Sequence, residues 1–256
     1  MSNERIQQIL QLLEHKGEIQ LQQLKTVFPD VSMMTLRRDL TSLEQQGRLI
    51  RTHGGAVSIK KIASQGVRGE EDAYSRRASE NTAAKVKIAE KAVTLVEKGR
   101  SIYFDAGSTV MCLAEILPDE NFSILTSGLN IALELVKKSQ ISVVSIGGLV
   151  NRNTLSASGP NSLSMLDTIN IDLAFMSASG FSLDSGFTVS NVYECELKRK
   201  IVHRAKNVIM LMDTSKINKN QPFTFAGLAD IDHWICENQL PAEYVQAAIE
   251  HQVEVL

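Results

Sequence analysis

Apolar side chains recur along the first sixty residues at spacings of three and four, and that rhythm predicts three helices. Ile6, Ile9, Leu10, Leu12 and Leu13 make one apolar stripe over 3–15, ending near Lys16-Gly17. A second, short helix fits Leu21 to Val27, with Leu21 and Leu24 inward, before Pro29-Asp30 breaks the chain. Ser32 suits the N-cap of a third helix running from Met33 to Gln46 and stopped by Gly47. The period then falls to two. Arg48 to His53 alternates as a strand, Gly54-Gly55 supplies a hairpin turn, and Ala56-Val57-Ser58-Ile59 returns. Three helices followed by a small hairpin describe a winged helix-turn-helix over residues 1–57.

Residues 58–80 change character, with Lys60-Lys61 followed by Ser, Gln, Gly, Arg, Glu and Asp and few large apolar side chains, which predicts a linker. From 81 onward, helical stretches alternate with short, nearly all-apolar runs. Helices are predicted over Ala83–Lys98, Val110–Leu117, Leu129–Lys138, Tyr193–Arg204 and Ala242–His251. Strands are predicted over Ile102–Phe104, Phe122–Leu125, Ile141–Ile146, Leu173–Met176, Val208–Met212 and His233–Cys236. Strands apolar at nearly every position and separated by helices imply a mainly parallel sheet covered on both faces, so 81–256 reads as a larger α/β domain.

Charge adds little. The net charge of −2 does not advertise a nucleic-acid partner, although residues 1–60 hold eight Lys/Arg against six Asp/Glu and the remainder is acidic. The three cysteines, Cys112, Cys195 and Cys236, are scattered and odd in number, which argues for a reducing compartment over a disulfide framework. Arg5 and Glu14 interrupt any apolar leader, no run reaches membrane-spanning length, and the expected location is cytoplasmic. The five histidines have no metal-ligand spacing.

Chemistry concentrates first in Ser32-Met33-Met34-Thr35-Leu36-Arg37-Arg38-Asp39-Leu40. On a helix Leu36, Leu40 and Leu43 face the core. Arg37 and Arg38 project away, and Met33, Met34 and Thr35 occupy the exposed first turn. A recognition helix presents its residues to base edges in the major groove in this way. Asp39 cannot favour a polyanion and reads as a structural acid holding a nearby arginine. With Arg51 and His53 from the hairpin, the candidate DNA contacts are Ser32, Met33, Met34, Thr35, Arg37, Arg38, Arg51 and His53. These residues resemble the DeoR family of bacterial regulators. Arg5, Ile9 and Leu13 match its first-helix signature, Ser32-x-x-Thr35-Leu36-Arg37-Arg38-Asp39-Leu40 its recognition helix, and Arg48 to Ala56 its wing. The turn Val27 to Val31 is one residue longer than that pattern.

The larger domain gathers small and polar residues where its strands end. Asp105-Ala106-Gly107-Ser108-Thr109 opens a helix, whose first N–H groups suit an anion. Thr126-Ser127-Gly128, Gly147-Gly148 with Arg152, Ser177-Ala178-Ser179-Gly180 and Asp213-x-Ser215-Lys216 end four further strands. In open α/β sheets ligands sit at such strand ends. The arrangement is similar to the family's effector domain, which resembles sugar-phosphate isomerases and binds phosphorylated sugars. The resemblance implies an effector site from Asp105, Gly107, Ser108, Thr109, Thr126, Gly147, Gly148, Arg152, Ser179, Gly180, Glu194, Lys198 and Lys216. It implies a sugar phosphate as allosteric effector without a cofactor, duplex operator DNA as partner, and self-association through 81–256. The competing class is a sugar-phosphate isomerase or deaminase carrying a DNA-binding head, with Asp105 and Glu194 as carboxylate bases.

Overall fold

A computed structural model describes residues 2–16, 18–45, 48–52, 54–58 and 74–256. The chain divides into two compact units, 1–68 and 69–256.

In the first unit, α1 (Ser2–Lys16), α2 (Leu21–Val27) and α3 (Met33–Gln45) pack around Ile9, Leu13, Leu24, Leu36, Leu40 and Leu43, all buried. These are the apolar positions that the helical spacing picks out. Three strands, β1 (Glu18–Gln20), β2 (Leu49–Thr52) and β3 (Gly55–Ser58), form an antiparallel sheet with β3 in the middle. β1 was not predicted, because three residues with a single buried side chain, Ile19, carry no readable alternation. Gly55 is required where β3 crosses β1, since a Cβ there would lie 2.0 Å from the Ile19 carbonyl oxygen.

The second unit opens with α4 (Tyr74–Ser79) and α5 (Thr82–Ala92), then alternates strand and helix. In chain order follow β4 (Ser101–Phe104), α6 (Ser108–Ile116), β5 (Phe122–Thr126), α7 (Leu129–Leu135) and β6 (Ile141–Ser145). A hairpin of β7 (Leu149–Asn151) and β8 (Ser156–Ser158) precedes α8 (Pro160–Leu166) and β9 (Ile171–Ser177). After β10 (Gly180–Ser182) and β11 (Gly186–Val189) come α9 (Val192–Arg204), β12 (Ala205–Leu211) and β13 (Phe223–Ala226). The unit closes with β14 (His233–Ile235), α10 (Ala242–Glu250) and β15 (Glu254–Val255).

Seven strands form one sheet in the order β15-β14-β12-β9-β4-β5-β6, every neighbouring pair parallel. The mainly parallel α/β architecture expected from the apolar runs is therefore present. Alternate residues serve opposite faces. Ile102, Phe104, Leu173, Phe175, Ile209 and Leu211 pack under α5, α6 and α7. Tyr103, Ala174, Met176, Val208 and Met210 pack on the other face with α8, α9, α10 and a small antiparallel sheet of β10, β11 and β13. Trp234 anchors that second layer, with the Phe181 ring 4.7 Å away and the Phe187 ring 5.3 Å away.

Sequence order along the sheet reverses between β4 and β9. From β4 the chain builds outward through β5 and β6, and from β9 through β12, β14 and β15. Such a reversal leaves a crevice at the carboxyl ends of the two central strands. Residues 74–79, placed in the linker by composition, instead form a helix packed against α6.

Candidate functional site

On the head, Ser32 caps α3: its hydroxyl accepts from the Thr35 N–H at 3.1 Å and lies 2.9 Å from the Thr35 hydroxyl. Met34, Arg37 and Arg38 are exposed, Met34 at 79%. Met33 is a correction: it packs against the head core instead of standing free, because its side chain falls on the same side as Leu36 and Leu40. Asp39 is held by Arg5, whose Nε donates at 2.7 Å and Nη2 at 3.4 Å, so the structural-acid reading holds. The long turn between α2 and α3 is stapled by Lys25, whose Nζ donates to the Pro29 and Val31 carbonyls at 2.7 and 3.0 Å. Arg51 lies back on α3, donating to the Thr41 hydroxyl at 2.5 Å with Glu44 at 3.9 Å. His53 lies outside the described residues.

In the second unit a cavity of about 210 Å³ opens at the sheet's reversal point. The loops after β4, β9 and β12 line it, through Gly107 to Thr109, Ser177 to Ser179, and Asp213 to Lys216. Gly107 is needed for close approach, since a Cβ there would sit 2.5 Å from the Ser177 hydroxyl. The first turn of α6 thus borders the cavity, bringing N–H groups that have no helical acceptor. Thr109 on that turn is 1% exposed, and its hydroxyl has no hydrogen-bond partner.

Beneath this loop Asp105 is buried and fully engaged. Its Oδ2 accepts from the Ser177 N–H at 2.9 Å, the Ser177 hydroxyl at 2.8 Å and the Lys198 ammonium. Lys198 is buried too, also donating to the Ser177 carbonyl at 2.9 Å and standing 3.5 Å from Glu194. Asp105 and Glu194 therefore share one cation. Lys216, partly buried, donates to the Ala178 carbonyl at 2.8 Å and lies 3.9 Å from Asp213. Burial, opposed by Asp213 and reinforced by Arg77, Lys85 and Lys198, brings its pKa down to about 8.

Of the thirteen residues expected at the site, Gly107, Ser108, Thr109, Ser179, Glu194, Lys198 and Lys216 line the cavity. Six do not. Asp105 supports the floor through Lys198 and Ser177. Gly180 lies against the Lys219 backbone, where a Cβ would meet the carbonyl oxygen at 2.1 Å. Thr126 is buried and accepts from the Gly128 N–H at 3.0 Å. The Gly147 carbonyl accepts from the Ser162 hydroxyl at 2.6 Å, and Gly148 packs on Ser158 and Ser162. Arg152 is exposed on the hairpin turn. For Thr126, Gly147, Gly148 and Arg152 the reason is topological: β5 and β6 lie one and two strands beyond the reversal, at roughly 5 Å per strand.

Sequence reasoning missed Arg77, Glu80, Asn81, Lys85, Lys219 and Gln221, all of which line the cavity. One signal was available: Arg77, Asn81 and Lys85 stand four apart, a polar stripe at helical spacing.

Among the described residues, no helix is long and apolar enough to cross a membrane. Comparison with known proteins gives matches over most of the chain. The family described as DeoR-like helix-turn-helix domain matches residues 5–62, and that described as DeoR C terminal sensor domain matches residues 80–238. The HTH-type transcriptional regulator YulB of Bacillus subtilis is 33% identical over 98% of this chain and 95% of its own. A putative aga operon transcriptional repressor of Escherichia coli O157:H7 is 28% identical over 100% of this chain and 93% of its own. Among solved structures, ribose 5-phosphate isomerase A from Methanocaldococcus jannaschii aligns with a TM-score of 0.41 at 19% identity. That alignment covers 54% of this chain and 56% of the other.

Proposed function

Because this chain belongs to the DeoR family of transcriptional regulators, we propose that a phosphorylated sugar in the cavity controls its grip on an operator. It is a DNA-binding transcriptional regulator with a sensor domain. On our reading it represses a sugar-utilisation operon in the cytoplasm, and the bound sugar phosphate releases it from DNA.

One observation carries the effector class. The cavity lining holds Arg77, Lys85, Lys198, Lys216 and Lys219 against Glu80, Glu194 and Asp213, and with Asp105 paired to Lys198 beneath it the excess is one positive charge. That excess faces the N-terminal turn of α6, where dipole and free N–H groups favour an anion. A phosphate monoester carries close to two negative charges at pH 7. The carboxylates of the lining suit the hydroxyls of a sugar. Gly107, Ser108, Thr109 and Lys216 are assigned to the phosphate, and Ser179 and Glu194 to the sugar.

The enzymatic alternative needs a carboxylate free to take a proton next to a carbonyl. Asp105 is buried under three donors, and Glu194 shares its cation. Their geometry supports a binding site instead of a base. Proton NMR of the full chain with pentose and hexose monophosphates should show no conversion, and measurable turnover would overturn the sensor-only reading.

The regulatory reading is tested by fluorescence anisotropy of an operator duplex, titrated with the full chain with and without those sugar phosphates. At least one should weaken operator binding by about 5- to 150-fold, the usual range of allosteric coupling. If none changes it, the coupling is wrong.

A further inference from the structure

Several of the residues that fasten α4 to the sensor domain also line its cavity. α4 has six residues and buries none of them, and a helix so short does not stand without tertiary support. That support is specific. Lys85, itself buried, donates its ammonium to the Arg77 carbonyl and, at 2.6 Å, to the Glu80 carbonyl, placing a cation on the last carbonyls of α4. Asn81 stands at the corner between α4 and α5 in the left-handed region, with φ of 51°. Its side chain does not cap α5. It donates instead to Asp213 at 3.3 Å and to the Ser215 hydroxyl at 2.9 Å. Arg77 reaches the Asn153 carbonyl at 3.2 Å. Arg77, Asn81, Lys85, Asp213 and Ser215 all face the cavity.

We propose that the α4–α5 corner reports occupancy of the cavity, because an anion there bridges the cationic side chains that hold α4 in place. The inference rests on the reading of the cavity as an effector site. The direction follows from charge. Arg77, Lys85 and Lys216 face one another at the cavity, their mutual repulsion opposed by Asp213. An anion removes that repulsion. Charge-assisted bonds to the anion then add to those that Lys85 already makes. Occupied cavity and docked α4 therefore favour one another, and the coupling is reciprocal.

Hydrogen-exchange mass spectrometry on the full chain tests this, with millimolar inorganic phosphate as the probe, chloride-matched controls, and thermal shift to establish binding. With phosphate bound, amides of residues 74–82 should exchange about fivefold or more slowly. Tyr74 contributes to α4 from outside the cavity lining. Tyr74→Ala should weaken phosphate binding by a similar factor, and Tyr74→Phe should retain most of it. If phosphate raises the melting temperature and slows exchange at 105–112 while 74–82 exchange unchanged, the corner is not the reporter and the effector site stands. If Tyr74→Ala leaves phosphate affinity untouched, reciprocity fails and the inference with it. If phosphate does not bind, the effector reading itself falls.

Discussion

Lys216 is a cavity side chain whose charge state sits within reach of ordinary buffers. Burial brings its pKa down to about 8, and the neighbouring Lys85 is lowered by burial in the same sense. An anion needs the ammonium form, while a phosphate monoester is already fully ionised well below pH 8, its second pKa being about 6. Affinity for a sugar phosphate should therefore change little from about pH 7 to 8, then fall by up to tenfold per unit above that, as one proton becomes coupled to binding. Lys216→Met should lower affinity at pH 7 and abolish the decline. Stability should move the opposite way. The folded pKa lies below the ordinary value of 10.5, so between about 8 and 10.5 the unfolded chain binds more protons, and Lys216 favours folding increasingly as pH rises. Isothermal titration and urea midpoints across pH 7 to 10 separate the two trends. A binding profile that falls equally in Lys216→Met would acquit this residue.

At the scale of elements, Gly107 sets how closely the β4 loop and α6 approach β9. Adding a methyl group puts a carbon 2.5 Å from a hydroxyl that is itself committed to Asp105 and to the Ala106 carbonyl, so Ser177 cannot simply swing away. Gly107→Ala should destabilise the chain by about 1–3 kcal/mol, as overpacking generally does. It should also weaken phosphate binding by displacing the first turn of α6. Urea melts and thermal shift with phosphate measure both, and an unaltered phosphate response would show that this turn does not hold the anion. The same elements show what was legible in the sequence. Runs such as Ile102–Phe104 and Val208–Met212 announced themselves because a parallel strand buried on both faces is apolar throughout. The β7–β8 hairpin did not, because its buried strand Ser156-Ala157-Ser158 is polar and small. Its needs are met by backbone bonding, as where the Ala157 N–H meets the Ser127 carbonyl at 2.8 Å. The site was legible where it follows strand order. Gly107, Ser179 and Lys216 lie at the ends of β4, β9 and β12. Thr126, Gly147 and Arg152 have the same local grammar but belong to strands away from the reversal, and strand order is not written in local sequence. α4 was lost for a related reason: with no buried residue it has no apolar stripe to read, yet it supplies Arg77 to the cavity wall.

For the whole molecule, the question is how a chain of net charge −2 holds a polyanion. Bulk electrostatics cannot supply the affinity, since the head carries only two more basic than acidic residues in its first sixty and the rest of the chain repels DNA. We propose that binding comes from a few placed contacts, with Arg37 and Arg38, exposed on α3 beside Met34, as the placed cations. Two roles are distinguishable by salt. A phosphate contact contributes about −0.9 to the slope of log affinity against log salt, and its loss weakens all duplexes alike. A base contact leaves the slope nearly unchanged, and its loss costs about 1–3 kcal/mol with relaxed preference at one base pair. Anisotropy titrations of the full chain between about 50 and 200 mM salt should give a shallow slope overall. Arg37→Ala and Arg38→Ala should each either reduce that slope by about one or relax one position of the operator. The effector should act differently from both. On the proposed mechanism it lowers the fraction of molecules in the DNA-competent state, so operator affinity should fall while the salt slope of the competent form is kept. A steep slope that survives removal of both arginines would place DNA binding on another surface, and an effector that flattens the slope would mean it competes at the interface instead of shifting the population.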